Sequence, residues 1–260
     1  MAKQTVIFRD LGGWDYQSAW DYQEELLKEN VLKKSLVAGN VPVTETVTSD
    51  SKADHLFHSK VETCHYLLFV EHPPVYTLGK SGKIENLLLS EEGLEDRQIA
   101  FYRTNRGGDI TFHGPQQIVG YPILDLEKFT TDIGKYLRNL EEVIILTLKD
   151  YGIKGERSSG ETGVWIDTGV MGKERKICAI GVRCSRWITM HGFAFNVNTD
   201  LSYFDNIIPC GIGNKKVTSL QHELGKEVDI NEAKERVKEN FEKVFDVVLI
   251  NDRGSITGTD

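Results

Sequence analysis

The stretch Arg106-Gly107-Gly108-Asp109-Ile110-Thr111-Phe112-His113-Gly114-Pro115 decides how this chain is read. Ile110, Thr111 and Phe112 favour an extended strand. The glycine pair in front of them carries no Cβ, so its backbone can press against another chain or a ligand. Gly114-Pro115 closes the strand with a turn. A plain structural reading makes this a bulged strand and a tight turn, with His113 a satisfied buried histidine. The other reading is a substrate wall built largely from backbone, and the full ten-residue string, unlike a lone Gly-Gly, is distinctive enough to weigh.

Working outward, Lys176-Ile177-Cys178-Ala179-Ile180-Gly181-Val182 is an apolar strand opened by a lysine, a position usually held by a solvated edge charge. It leads into Ser185 to Val197, where Phe193, Phe195 and Val197 alternate at strand periodicity and His191-Gly192 precedes them. Beyond lies Ile208-Pro209-Cys210-Gly211-Ile212-Gly213. Proline before and glycine after suggest a fixed turn that presents the Cys210 thiol and offers amide donors to an oxyanion. Local sequence leaves a buried turn cysteine equally open. Cys64 and Cys178 sit beside or inside apolar runs and read as small core residues, and Cys184 follows a strand end. His191 is the reserve candidate for a base acting on Cys210.

The remaining elements frame these motifs. Thr5 to Arg9 reads as a strand, with a turn at Gly12-Gly13. A helix capped by Asp15 follows, carrying Tyr16, Ala19, Trp20, Gln23, Leu26, Leu27 and Val31 at helical spacing. Ala38 to Ser59 is polar and weakly periodic, an exposed insertion. His65 to Val70 is a short buried strand ended by Pro73-Pro74. Phe101 to Phe112 and Gly120 to Leu126 are extended, and Gly163 to Asp167 is a further apolar run. Asp132 to Tyr151 is a helix ended by Gly152, with Tyr136, Leu137, Leu140, Val143, Ile144 and Leu148 on one face. A third helix spans Glu232 to Phe245, and the tail after Asn251 frays. No repeat is visible. Clustered strands with a few long helices give an α+β fold with mixed β-sheets flanked by helices.

The chain has 260 residues, 40% hydrophobic and 27% charged, the balance of one globular domain spanning residues 1–260. Its net charge of -8 argues against a nucleic-acid binder, which needs a basic face. The opening MAKQTVIFRD has no apolar signal core, no run is long enough for a membrane span, and the cysteines form no Cys-x-x-Cys pair. A cytoplasmic protein with free thiols and no bound metal is expected.

Taken together, Val70 to Gly79, Arg106 to Pro115, Lys176 to Val182, Ser185 to Val197, Pro209 to Ile212 and Val217 to Leu220 resemble the lipoyl(octanoyl) transferase family, over about residues 65 to 220. Gln116 departs from the pattern, standing where the family usually has glycine. The resemblance implies the catalytic-domain fold shared by biotin and lipoate ligases. It also implies transfer of octanoyl from acyl carrier protein to a lysine of lipoyl domains, in 2-oxoacid dehydrogenases and the glycine-cleavage H protein. Apart from the resemblance, a monomer with no cofactor is expected. Carried over by motif, Cys210 is the acyl-thioester nucleophile and Lys176 its activator. Substrate contacts fall on Arg106, Gly107, Gly108, Asp109, Ile110, Thr111, Phe112 and His113, on Ala179, Ile180 and Gly181, and on Gly192, Phe193 and Ala194. An ATP-dependent ligase on the same fold, which needs no cysteine nucleophile, is the alternative.

Elementary chemistry suits such a pair. With ordinary pKa values of about 8.5 for cysteine and about 10.4 for lysine, a shared proton prefers the lysine by roughly 2.6 kcal/mol. Burial opposes this by disfavouring both charges, so the site should be only partly desolvated. Chain-length choice needs more than burial: each CH₂ contributes about 0.8 kcal/mol, roughly fourfold, so longer chains must be rejected by a closed end. Lys80, Lys83, Arg103, Lys215 and Lys216 are the basic residues near the motifs that could dock acidic partners.

Overall fold

The computed structural model describes residues 3–37, 62–208 and 216–252. The expected insertion at Ala38 to Ser59, the Pro209-Cys210-Gly211-Ile212 turn, Lys215 and the tail beyond Asp252 lie outside the described residues.

Strand β1 (Gln4–Gly13) leads into helix α1 (Tyr16–Val37), and the Asp15 carboxylate accepts from the Ser18 amide at 2.9 Å, the N-cap expected. Strand β2 (His65–Glu71) alternates between two cores. Its Leu67 and Phe69 pack toward helices α3 (Ile133–Asp150) and α5 (Ile230–Phe245), while Tyr66, Leu68 and Val70 pack toward α1. Both long helices are capped as their sequences require. Asp132 accepts from the Lys135 amide and Asp229 from the Asn231 amide, and Gly152 takes a left-handed φ of 75° just past α3.

Strands β6 (Gln117–Ile123), β7 (Val164–Ile166), β8 (Arg175–Ser185), β9 (Ile188–Asn196), β10 (Lys216–Val217) and β11 (Val247–Asn251) complete the larger sheet. Among the described residues its order is β10-β8-β9-β6-β2-β1-β11, with β7 pairing with β8 at the side. The β1–β2, β1–β11 and β8–β10 pairs are parallel and the rest antiparallel, so the sheet is mixed. A smaller sheet joins β3 (Val75–Leu78), β4 (Ala100–Arg103) and β5 (Ile110–His113) in the order β4-β3-β5, with its own core of Tyr76, Leu78, Ile110 and Phe112. Short helices α2 (Glu91–Asp96) and α4 (Leu220–Leu224) fill the edges. The mixed-sheet α+β expectation is met. The extended reading of Phe101 to Phe112 splits in two, because Thr104 turns back to the Leu78 carbonyl and frees the loop carrying Arg106.

Candidate active site

A cavity of about 190 Å³ opens where the two sheets meet. One wall is the loop before β5 with β5 itself, another is β8 and β9, and Tyr16 of α1 and Tyr121 of β6 also line it. Arg106, Gly108, Asp109, Ile110, Thr111 and His113 line the first wall. Lys176, Ala179, Ile180, Gly181, Gly192, Phe193 and Ala194 line the second. Gly107 and Phe112 stand behind the wall. Gly107 is tied by its amide to the Val182 carbonyl at 2.9 Å, and Phe112 stacks on Tyr203 at 4.5 Å in the small-sheet core.

The Arg106 side chain is buried, and small neighbours make room for it. A Cβ on Gly79 would lie 2.8 Å from its Nη1 and one on Gly181 would lie 3.3 Å away. The guanidinium donates to the Thr77 carbonyl at 2.6 Å, to Thr77 Oγ1 at 2.9 Å and to the Gly107 carbonyl at 3.0 Å. A buried cation needs such partners, and these backbone and hydroxyl oxygens hold Arg106 in the wall of the cavity it lines.

Lys176 is half-buried between β7 and β10, with Trp165 and Val217 as its register partners. Its ammonium lies 4.6 Å from the centre of the buried Trp165 indole, a cation–π geometry. The fully buried Glu141 of α3 accepts from the Gly163 amide at 3.1 Å and so pins that glycine beside the lysine stem. A Cβ there would come 3.5 Å from Lys176 Cε. Behind the lysine, Arg175 forms a bidentate pair with Glu223 at 2.6 Å, and the Thr218 amide donates to the Lys176 carbonyl at 2.9 Å. Burial alone would raise the Glu223 carboxyl. The hydrogen bonds from Arg175 and Thr218 and the guanidinium charge outweigh it and hold the group below its usual range.

Three buried histidines, His72, His113 and His191, are held neutral. Burial pushes His191 down to about 3, helped by the charges of Arg106 and Arg183. Burial likewise takes His72 down to about 4, and drives His113 well below its ordinary value with help from His72 and Arg106. His191 is bonded through Nε2 to Asn105 Oδ1 at 2.7 Å, and its amide donates to Gln23 Oε1 at 2.9 Å. That second bond accounts for one of the two buried amide side chains of α1, the other being Asn30. A histidine so depressed is a poor proton store at neutral pH, which weakens its candidacy as a base. Cys178 is buried and its thiol is pushed well up by burial, so it is inert. Cys64 is half-buried beside Lys33, with Nζ at 3.4 Å. Lys80, Lys83, Arg103 and Lys216 are exposed. Among the described residues no group of His, Cys, Asp or Glu is arranged to hold a metal ion, and no helix is long and apolar enough to cross a membrane.

Sequence reasoning missed Tyr16, Gln117, Tyr121, Asn196, Phe204 and Val217 as parts of the cavity. Residues 43–242 match the model of the lipoyl protein ligase A/B catalytic domain. The chain belongs to that family. It is 57% identical over 247 residues to the octanoyltransferase of Christiangramia forsetii, covering 95% of this chain and 98% of that one. It is 56% identical to the octanoyltransferase of Flavobacterium psychrophilum, covering 95% and 99%. It is therefore an enzyme of the acyltransferase class. The bipartite lipoate protein ligase of Thermoplasma acidophilum has the same fold, with a TM-score of 0.64 at 15% identity over 97% of this chain and 87% of that one. The fold thus persists where little sequence does.

Proposed function

We propose that this chain transfers an octanoyl group from octanoyl-acyl carrier protein to a lysine of lipoyl domains, through a thioester on Cys210 with Lys176 as its proton partner. One observation carries the reading. Phe204 and Val217, described residues on either side of the segment holding Cys210, both line the cavity that Lys176 lines. The described residues on its two flanks are held in place, Ile208 by its amide on the Asn86 carbonyl at 2.8 Å, and Lys216 and Val217 by the pairing of β10 with β8 at Arg175 and Lys176. Relatives 46–57% identical to this chain and named octanoyltransferase support the acyl group.

The cycle follows from the chemistry of the two side chains. The Cys210 thiolate attacks the carrier's thioester carbonyl, the donor C–S bond breaks, and the Lys176 ammonium protonates the departing thiolate. Neutral Lys176 then accepts a proton from the incoming lysine amine, which attacks the acyl-Cys210 carbonyl. The amide forms and the Cys210 thiolate leaves. Exchange between thioesters is nearly isoenergetic and amide formation runs downhill, so no nucleotide is required. Val119, Ile180, Phe193 and Ala194 supply the apolar lining for the acyl chain, while Arg106 and the polar residues behind it fix orientation. The chain acts as one catalytic domain and as a monomer in the cytoplasm.

Mass spectrometry of enzyme mixed with octanoyl-acyl carrier protein tests this. An octanoyl adduct on Cys210, discharged by an added lipoyl domain, is expected. An adduct on Cys64, Cys178 or Cys184 instead, or ATP-dependent acylation surviving Cys210→Ala, overturns it.

A further inference from the structure

We infer that Gln117 and Asn196 are positioning residues: an amide relay that fixes the tautomer of His113 and, through the Thr77 hydroxyl, aims the Arg106 guanidinium at the cavity. The inference deepens the proposed role of Arg106 as a substrate contact and rests on that reading for its kinetic consequence, though not for its spectroscopic one.

The direction of every bond in the relay is forced, because both ends rest on backbone carbonyls and a carbonyl can only accept. At one end Asn196 Nδ2 donates to the Thr218 carbonyl at 3.0 Å, so Asn196 Oδ1 faces inward. Gln117 Nε2 donates to that oxygen at 2.8 Å and to the Phe112 carbonyl at 3.2 Å, which leaves Gln117 Oε1 as an acceptor. His113 Nδ1 lies 2.9 Å from Oε1 and must therefore carry the hydrogen. In a neutral ring His113 Nε2 is then bare, and Thr77 Oγ1, 3.3 Å away, donates its only hydrogen to it. With that hydrogen committed, a Thr77 oxygen lone pair receives Arg106 Nη2 at 2.9 Å. The opposite tautomer would set a bare Nδ1 against the Gln117 oxygen, acceptor against acceptor, and bring a second donor to the Thr77 hydroxyl oxygen already met by Arg106. Thr218, where the relay begins, is also the residue whose amide holds the Lys176 carbonyl. One continuous chain of bonds therefore connects the lysine strand to the arginine across the cavity.

The surroundings keep the ring neutral. His113 is faced by Tyr16 of α1, stacked at 6.0 Å, by His72 after β2 at 5.8 Å, by Arg106, by His191 of β9, and by Gln117 and Thr77 of the relay itself. Burial away from solvent opposes a second proton, and the nearby Arg106 charge adds to it. A neutral amide at 117 fits this, and a carboxylate there would reverse it by stabilising the imidazolium.

The test uses ¹⁵N-histidine-labelled full-length protein, with His113 assigned by its loss in His113→Gln. The expected wild-type spectrum shows His113 as the neutral Nδ1–H form from pH 6 to 8, and Gln117→Glu converts it to the doubly protonated form. In turnover, Gln117→Glu should add an acid-side ionisation to the KM for octanoyl carrier that wild type lacks. Thr77→Val should raise that KM by about tenfold with kcat changed less than twofold, and Thr77→Ser should restore it. A wild-type Nε2–H tautomer, or Thr77→Ser as impaired as Thr77→Val, overturns the inference, and so does a folded Gln117→Glu whose spectrum and pH profile match wild type. Failure of the octanoyl-transfer reading would appear separately, as wild-type enzyme without turnover.

Discussion

Gly181→Ala tests whether close backbone approach sets the cavity. A Cβ at this position would lie 2.7 Å from the Gly107 carbonyl oxygen and 3.2 Å from Arg106 Cδ. Ordinary contact begins near 3.4 Å, so the loop before β5 must retreat by about 0.7 Å. Retreat stretches the bond from the Gly107 amide to the Val182 carbonyl, now 2.9 Å, and carries Arg106 with it. Overpacking of this kind costs about 1–3 kcal/mol. Against a total stability on the order of 10 kcal/mol, the variant remains almost wholly folded. Displacement of about an ångström at a reacting site can cost on the order of 100-fold in rate. The expected result is a urea midpoint lowered in keeping with 1–3 kcal/mol, together with a fall in kcat/KM for transfer to a lipoyl domain of roughly tenfold or more, far beyond the unfolded fraction. Gly13→Ala, where a Cβ meets nothing within 4 Å, is the control and should alter neither. A Gly181→Ala enzyme with wild-type stability and kcat/KM would refute the reasoning.

Lys176→Met should lower kcat by about 10²–10⁴ while the enzyme stays folded, as expected for loss of a general acid–base; wild-type single-turnover rates would exclude the role. Gln116 sits at a φ of 61°, in the left-handed region, and its side chain accepts from Asn198 Nδ2 at 2.7 Å. Gln116→Ala should cost about 1 kcal/mol in urea unfolding by losing that bond, whereas in Gln116→Gly relief of about 1 kcal/mol of backbone strain offsets the loss; equal losses would contradict the strain argument. Burial holds His65 and His72 at about 4 and His191 at about 3, below the ordinary 6.5. Between those values the unfolded chain binds protons that the native chain does not. Their contribution is therefore complete above pH 6.5 and lost as pH falls through the folded values, at about 1.4 kcal/mol per pH unit for each proton taken up. Urea midpoints that stay flat from pH 7 to 4.5 would rule this out.

Local chemistry was legible wherever one element carried its own signal. Asp15, Asp132 and Gly152 mark helix ends by side-chain capping or left-handed geometry, and Phe193 to Val197 announces a strand by alternation. What stayed hidden depends on partners distant in sequence. β3 has only four residues and follows two prolines, and its strand character comes from pairing with β4 and β5. β11 is an edge strand made stable by β1. Gln117 and Asn196 looked like ordinary strand residues, since nothing in either neighbourhood reveals that the two amides meet 79 positions apart. Gln23 broke a helical pattern for a reason visible only across the interface with His191. Gly181 could be placed near the substrate by motif, but its tolerance for a side chain is set by the Gly107 carbonyl, which belongs to the other wall.

The parallel pairing of β1 with β11, from Gln4 beside Val247 to Phe8 beside Asn251, has a consequence for biosynthesis. Arg9 and Asp252, joined at 2.8 Å, are separated by 243 positions. As the chain leaves the ribosome, the β8–β9 hairpin can close on itself at once, while β1 has β2 on one flank and an open row of amides and carbonyls on the other. That row is covered only once β11 has emerged, long after β1, so this border of the sheet is left unpaired through most of the synthesis of the described strands.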